Sequence, residues 1–183
     1  AEQVMFRAQS DEACIRVWER DPETGGVSVH DVEPATERRL DFGDLTVFYD
    51  DGLAAHLKSL RLAALPNETG GVLLGYHDFN VGAIVLVDAL PAPSDSHASP
   101  GSFERGTSGL VSAVQDASAR TAGIVGYVGE WHSHPRGHSA KPSRDDLIQL
   151  AELSLGMHGD GLPALQLIVG ENDIQVLQGM VKT

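Results

Sequence analysis

His132 and His134 stand two apart at the end of the apolar run Gly123–Trp131. Side chains on a strand alternate faces, so a strand through this run aims both imidazoles the same way, where they can share one ion. Pro135 then stops the strand, because it has no N–H to give to a sheet. Twelve positions after His134, Asp146 falls in the first turn of a helix opened by Ser143, and the intervening loop can bring its carboxylate back to the histidines. Two imidazole nitrogens and one carboxylate make a three-ligand set that suits Zn²⁺ and leaves a fourth position for water. Each part also has a plain structural reading. His-x-His pairs arise by chance on surface strands, and Ser143-Arg144-Asp145-Asp146 reads as an N-cap with acidic residues at the positive end of a helix dipole. The two readings of Asp146 are compatible, since capping would fix where its side chain points.

Hydrolysis at such a centre needs a base as well as an ion. Glu68 leads the apolar run Thr69–Gly75; on spacing alone it reads as a solvated residue at a helix end. Gly70 and Gly71 behind it allow another backbone to approach closely. Asp145 is the fallback ligand if the register is shifted by one, and His138 is a further one. Glu130 alternates in register with His132 and could orient an imidazole, although a structural role is the stronger reading. His30, His56, His77, His97 and His158 read as surface or satisfied core residues. Cys14 is the only cysteine, which excludes an internal disulfide, a Cys₄ or Cys₂His₂ zinc site, and the Cys-x-x-Cys half of a zinc deaminase. It lies in an alternating run and reads as a buried structural thiol.

The elements that must position these residues follow from periodicity. Short β-like pieces at Cys14–Trp18 and Val27–Val29 flank the turn-rich segment 21–26. Leu45–Tyr49 is a strand, after which Asp50 or Asp51 caps a helix with the apolar face Leu53, Leu57, Leu60 and Ala64, ended by Pro66. Thr69–Gly75 and Val81–Leu90 are buried strands. The Pro-, Ser- and Gly-rich stretch Pro91–Gly106 reads as a long surface loop, the kind of segment that carries binding. A helix over Ser108–Arg120 precedes the histidine strand. Ser143–Met157 is a third helix with the apolar face Leu147, Ile148, Ala151 and Leu155, and Leu165–Val169 and Ile174–Leu177 form a hairpin. Strands and helices interleave without a strict βαβ rhythm, which predicts a mixed α/β fold with a central mixed sheet flanked by helices.

Composition narrows the function classes. With 183 residues, 42% hydrophobic and 21% charged, the chain suits one ordinary globular domain. A net charge of −13 repels phosphate backbones and anionic lipid, so nucleic acid and membrane are not expected partners. No apolar run approaches the roughly 18–20 residues of a membrane helix, and a soluble cytoplasmic protein is the expectation. The start at Ala1 points to processing or to a segment of something longer. The glycines at 123, 126 and 129 are no nucleotide fingerprint, because no Gly-Lys-Ser/Thr follows. A phosphoesterase or amidohydrolase barrel using His-x-His needs about 250 residues, more than this chain has.

Glu68 followed by Gly71-Val72-Leu73-Leu74-Gly75, then His132-Ser133-His134-Pro135, then Ser143-x-x-Asp146, closely resembles the JAB/MPN (JAMM) zinc metallopeptidases, which include deubiquitinases and bacterial relatives. The resemblance covers roughly residues 45–180. It implies an MPN/cytidine-deaminase-like fold over 41–183, with 1–40 as a β-rich extension. It further implies zinc held by His132, His134 and Asp146, with Glu68 as the general base and Ser143 as the hydroxyl that steadies the oxyanion. The family usually places seven residues between the second His and the Ser. Here eight stand there, 135–142, and Gly137 allows the extra residue to be absorbed. Gly129–Pro135 together with Ser102-Phe103-Glu104-Arg105 looks like the prokaryotic branch, which often accompanies or is fused to E1/E2-like enzymes, including in antiphage systems. The implied activity is cleavage of a ubiquitin-like protein or its conjugate after the modifier's C-terminal tail, with Gly70, Gly71, Ser102 and Phe103 as substrate-binding candidates. Two alternatives stay open: a catalytically silent MPN scaffold, and a zinc hydrolase of a small cysteine or phage-tail adduct.

Overall fold

A computed structural model describes residues 15–20, 23–32 and 35–182; Cys14 and the reading placed on it lie outside these. The described residues up to Thr36 form one compact unit and those from Glu37 a second. The first unit is an antiparallel hairpin of β1 (Ile15–Arg20) and β2 (Val27–Val32).

In the second unit, the described residues build one seven-stranded sheet of β3 (Glu37–Asp41), β4 (Thr46–Asp50), β5 (Gly70–Asp78), β6 (Ala83–Ala89), β9 (Gly126–Ser133), β10 (Ala164–Val169) and β11 (Ile174–Gly179). Their order is β11-β10-β9-β5-β6-β4-β3. The β9–β10 and β4–β6 pairs are parallel and the rest antiparallel, so the sheet is mixed. Central strands are buried on both faces, which is why Ala164-Leu-Gln-Leu-Ile-Val169 shows no alternation. The outer strand β3 is charged and exposed, a composition that discourages edge pairing.

Helix α1 (Asp51–Ala64) starts where the Asp50 carboxylate accepts the Leu53 N–H at 2.7 Å. Its inward face holds Leu53, Ala54, Leu57 and also Arg61, with Leu60 and Ala64 half-buried at its flank. Helix α2 (Leu110–Arg120) lies wholly at the surface, beginning after Gly109 rather than at Ser108. The segment expected as a plain loop carries a small hairpin, β7 (His97–Ser99) with β8 (Ser102–Glu104).

Helix α3 (Arg144–His158) corrects one expectation. Leu147, Ile148, Ala151 and Leu155 are exposed, and the buried residues are Asp146, Ser154 and Met157. The cap at Ser143 turns Asp146 inward, and residues at helical spacing from 146 follow it. The main core gathers Val47, Leu57, Leu73, Ile84, Trp131 and Leu167, each at most 2% exposed. Among the described residues no helix is long and apolar enough to cross a membrane.

Candidate metal centre

Strand β9 is hydrogen-bonded on both sides, with His132 opposite Gly70 of β5 and Ile168 of β10. This central position fixes the strand end and leaves His132 only 8% exposed. Ser133 faces the other way: its N–H donates to the Thr69 carbonyl at 2.7 Å and its Oγ accepts the Thr69 N–H at 3.1 Å. The His134 N–H still donates to the Val169 carbonyl at 2.9 Å, so both histidines stay on the ladder until Pro135 ends it. From α1, Arg61 reaches under the same turn. Its Nε donates to the His134 carbonyl at 2.8 Å and its Nη2 to the Pro135 carbonyl at 3.0 Å.

The third residue arrives through a capping box. Ser143 Oγ accepts the Asp146 N–H at 3.2 Å, and the Ser143 N–H donates to Asp146 Oδ2 at 2.6 Å. The cap aims the carboxylate at the strand end, where Oδ1 lies 3.0 Å from His132 Nε2 and Oδ2 lies 3.4 Å from His134 Nε2. The two imidazoles sit 5.3 Å apart, and one ligand atom from each of the three residues falls within a 4.8 Å group.

Two observations test whether this set fits a metal ion. His134 Nδ1 lies 2.7 Å from the Ser139 carbonyl, which only accepts, so Nδ1 carries the hydrogen and the Nε2 lone pair is left free to bind a cation beside Asp146. His132 Nε2 is buried and makes no hydrogen bond, although a carboxylate oxygen stands 3.0 Å away. A buried nitrogen with no hydrogen-bond partner beside a carboxylate is placed to share one cation with it. Tetrahedral zinc with bonds near 2.0–2.1 Å spaces its ligand atoms by about 3.3 Å, close to both observed contacts. The donor set and its spacing fit zinc.

Electrostatics separate the two carboxylates. Burial works to raise the pKa of Asp146, but the adjacent His132 ring and the Ser143 N–H outweigh it and hold the group well below the ordinary carboxylate range. Glu68 moves the other way. Burial pushes its pKa up, against the pull of His132 and His134 and with help from the Asp146 charge. Its N–H donates to the Ser99 carbonyl at 2.9 Å, which ties it to the β7–β8 hairpin. Two carboxylates whose proton affinities are shifted in opposite directions therefore line one groove.

That groove, of about 530 Å³, is lined by Glu68, Ser102, Phe103, Ser143 and the three metal-fitting residues. Gly70 and Gly71 are buried and are not among its lining residues. A Cβ at Gly70 would meet the Phe103 ring, and one at Gly71 would overlap the Leu90 carbonyl oxygen, so both positions permit close packing. Asp145 lines the groove but is exposed and outside the three-residue cluster. His138 is likewise outside it, with Nδ1 on the Arg136 carbonyl at 3.0 Å. Glu130 does not orient a histidine: its carboxylate accepts Arg105 Nη2 at 2.6 Å and the Tyr127 hydroxyl at 3.3 Å. Sequence reasoning missed Arg61. The available signal was an arginine four residues after Leu57 on the apolar stripe of α1.

Residues 51–178 match the family described as prokaryotic homologs of the JAB domain. The chain is 32% identical over 144 residues to a protein of Enterobacter hormaechei subsp. hoffmannii named CD-NTase/cGAS isopeptidase, a likeness covering 79% of this chain and 76% of that one. It shares its fold with a protein of Desulfitobacterium hafniense solved in solution, at a TM-score of 0.52 and 21% identity, over 74% of this chain and 84% of the other. Sequence match and motif geometry agree over the same residues, and the chain belongs to the prokaryotic homologs of the JAB domain.

Proposed function

We propose that this protein is a zinc isopeptidase that frees a protein from a conjugate by cutting after that protein's C-terminal tail. The observation that carries the reading is the His132, His134 and Asp146 set, two of the three buried, in a groove that Glu68 also lines. In this reading those three residues hold the ion, which when bound supplies Lewis acidity toward water and the scissile carbonyl. Glu68 takes the proton of the attacking water, and its raised proton affinity suits it to pass that proton to the leaving amine. Ser143 accepts the Asp146 N–H at Oγ, which leaves its hydroxyl hydrogen to turn toward the groove and donate to the developing oxyanion.

A tail lying in the groove runs beside Phe103 and the β7–β8 hairpin, where an extended chain can pair by strand addition. The named relative favours a CD-NTase as the protein released, ahead of the ubiquitin-like modifier that the family likeness implies. Conjugates of either kind require E1/E2-like enzymes to make them, and these are the proposed partners.

The test offers purified protein two substrates: a CD-NTase and a ubiquitin-like protein, each joined through its C-terminus to a lysine of a carrier. Release of the free CD-NTase, abolished by a chelator and restored by zinc, is expected. Preferential release of the ubiquitin-like protein would move the substrate class to the modifier. Cleavage of neither would overturn the isopeptidase reading and leave a scaffold or a small-adduct hydrolase.

A further inference from the structure

The loop between Pro135 and Pro142 has no regular structure, yet the turn joining β10 to β11 ties it at three points. The Gly137 N–H donates to Glu171 Oε2 at 2.9 Å, the Glu171 N–H donates to the His138 carbonyl at 2.9 Å, and the Ala140 N–H donates to Asp173 Oδ1 at 2.9 Å. The turn holds itself closed through the Gly170 N–H on the Asp173 carbonyl, also at 2.9 Å. Gly170 packs so near the loop that a Cβ there would overlap the Ala140 nitrogen and the Asp173 carboxylate. Ala140 is fully buried by this contact. At the start of the loop, Gly137 takes φ +76°, the left-handed conformation that turns the chain toward Glu171.

Ser139 stands between the second and third ties. Its carbonyl is the group that His134 Nδ1 meets at 2.7 Å. That carbonyl and the Ala140 N–H belong to one planar peptide unit and point in opposite directions. When Asp173 holds the N–H, it also aims the carbonyl at the imidazole. The path from Asp173 to His134 is therefore one rigid group and two hydrogen bonds.

We infer that Asp173 and Glu171 are positioning residues for His134: by bracing the 136–141 loop they fix the Ser139 carbonyl on Nδ1, and so select the tautomer and ring orientation that present Nε2 to the metal site. The inference rests on the zinc reading of His134 for its effect on metal affinity, but its effect on the imidazole exists without any ion. It also explains how the loop, one residue longer than the family usually has, keeps a fixed shape: the extra length is pinned from the neighbouring hairpin.

The test uses the full chain with Asp173→Ala, Glu171→Ala and Asp173→Asn. In metal-free protein, ¹⁵N-histidine correlation spectra read the tautomer of His134, which a merely structural role would not move. Zinc affinity is measured by chelator competition, and thermal stability alongside. D173A is expected to mix the His134 tautomers and weaken zinc by about 10–100-fold, the usual cost of losing an outer-shell partner. E171A is expected to act in the same direction more weakly. D173N keeps an acceptor oxygen and is expected to restore the wild-type spectrum and affinity. Should D173A fail to fold, E171A decides, because it removes only an exposed side chain. A wild-type His134 spectrum and wild-type zinc affinity in the folded alanine variants would overturn the inference. Wild-type protein binding zinc no better than His134→Ala would instead sink the zinc reading, and the metal-free spectra would still decide the positioning role.

Discussion

Replacing Arg61 by Met keeps most of the aliphatic stem and removes the guanidinium that caps the His134 and Pro135 carbonyls. The residue is 4% exposed, so water cannot readily take over these bonds. A hydrogen bond from a charged donor contributes about 1.5–3 kcal/mol, and two of them set a ceiling near 6 kcal/mol. The released cost of burying the guanidinium offsets part of this, leaving about 3 kcal/mol net. For a unit of this size each kcal/mol moves Tm by roughly 2–4 °C, so R61M should melt about 6–12 °C below wild type. Circular dichroism melts in the presence of a chelator read this term without any contribution from zinc. The loosened turn should also weaken zinc by about 10–100-fold, since His134 loses its backbone support. R61K should fall between the two, as one ammonium cannot serve two carbonyls with a fork geometry. An R61M protein that melts within about 2 °C of wild type and binds zinc equally well would refute the view that Arg61 holds the turn.

Elemental analysis of purified protein should find one zinc per chain, and His132→Ala, His134→Ala and Asp146→Ala should each lose it; full occupancy in any of the three would remove that residue from the ligand set. Glu68→Gln should keep the zinc and the fold while turnover falls by about 10²–10⁴, and an unchanged rate would place the base elsewhere. Ser143→Ala should slow turnover by up to roughly 10²–10³ through the lost oxyanion donor. The same change should cost about 1 kcal/mol of stability through the lost cap, which a parallel melt separates from the kinetic effect. Gly71→Ala should destabilise the fold by about 1–3 kcal/mol, because the new methyl overlaps the Leu90 carbonyl in a packed sheet; a neutral melt would show that the backbone can give way there.

The sequence by itself singled out the candidate residues and determined most of the elements that carry them. His-x-His before a proline needs only strand alternation to aim both rings one way, and Ser143-x-x-Asp146 needs only local helix geometry to form its box. Asp50 as a cap and the Leu53–Leu57 stripe are equally local. The tertiary structure decided what depends on partners distant in the chain. Which face of α3 turns inward follows from the docking of Asp146 at the strand end, so the apolar side with Leu147 and Leu155 is left exposed against simple patterning. The 91–106 stretch carries a hairpin whose Ser99 carbonyl accepts the Glu68 N–H, a contact that periodicity does not encode. Arg61 meets His134 across 73 residues of chain and Asp173 meets Ala140 across 33, through a backbone carbonyl and a backbone N–H of the kind that nearly every residue possesses. Side-chain types mark the residues that touch an ion or a substrate. Those that act by holding the main chain have no such mark, and only the folded backbone brings them into view.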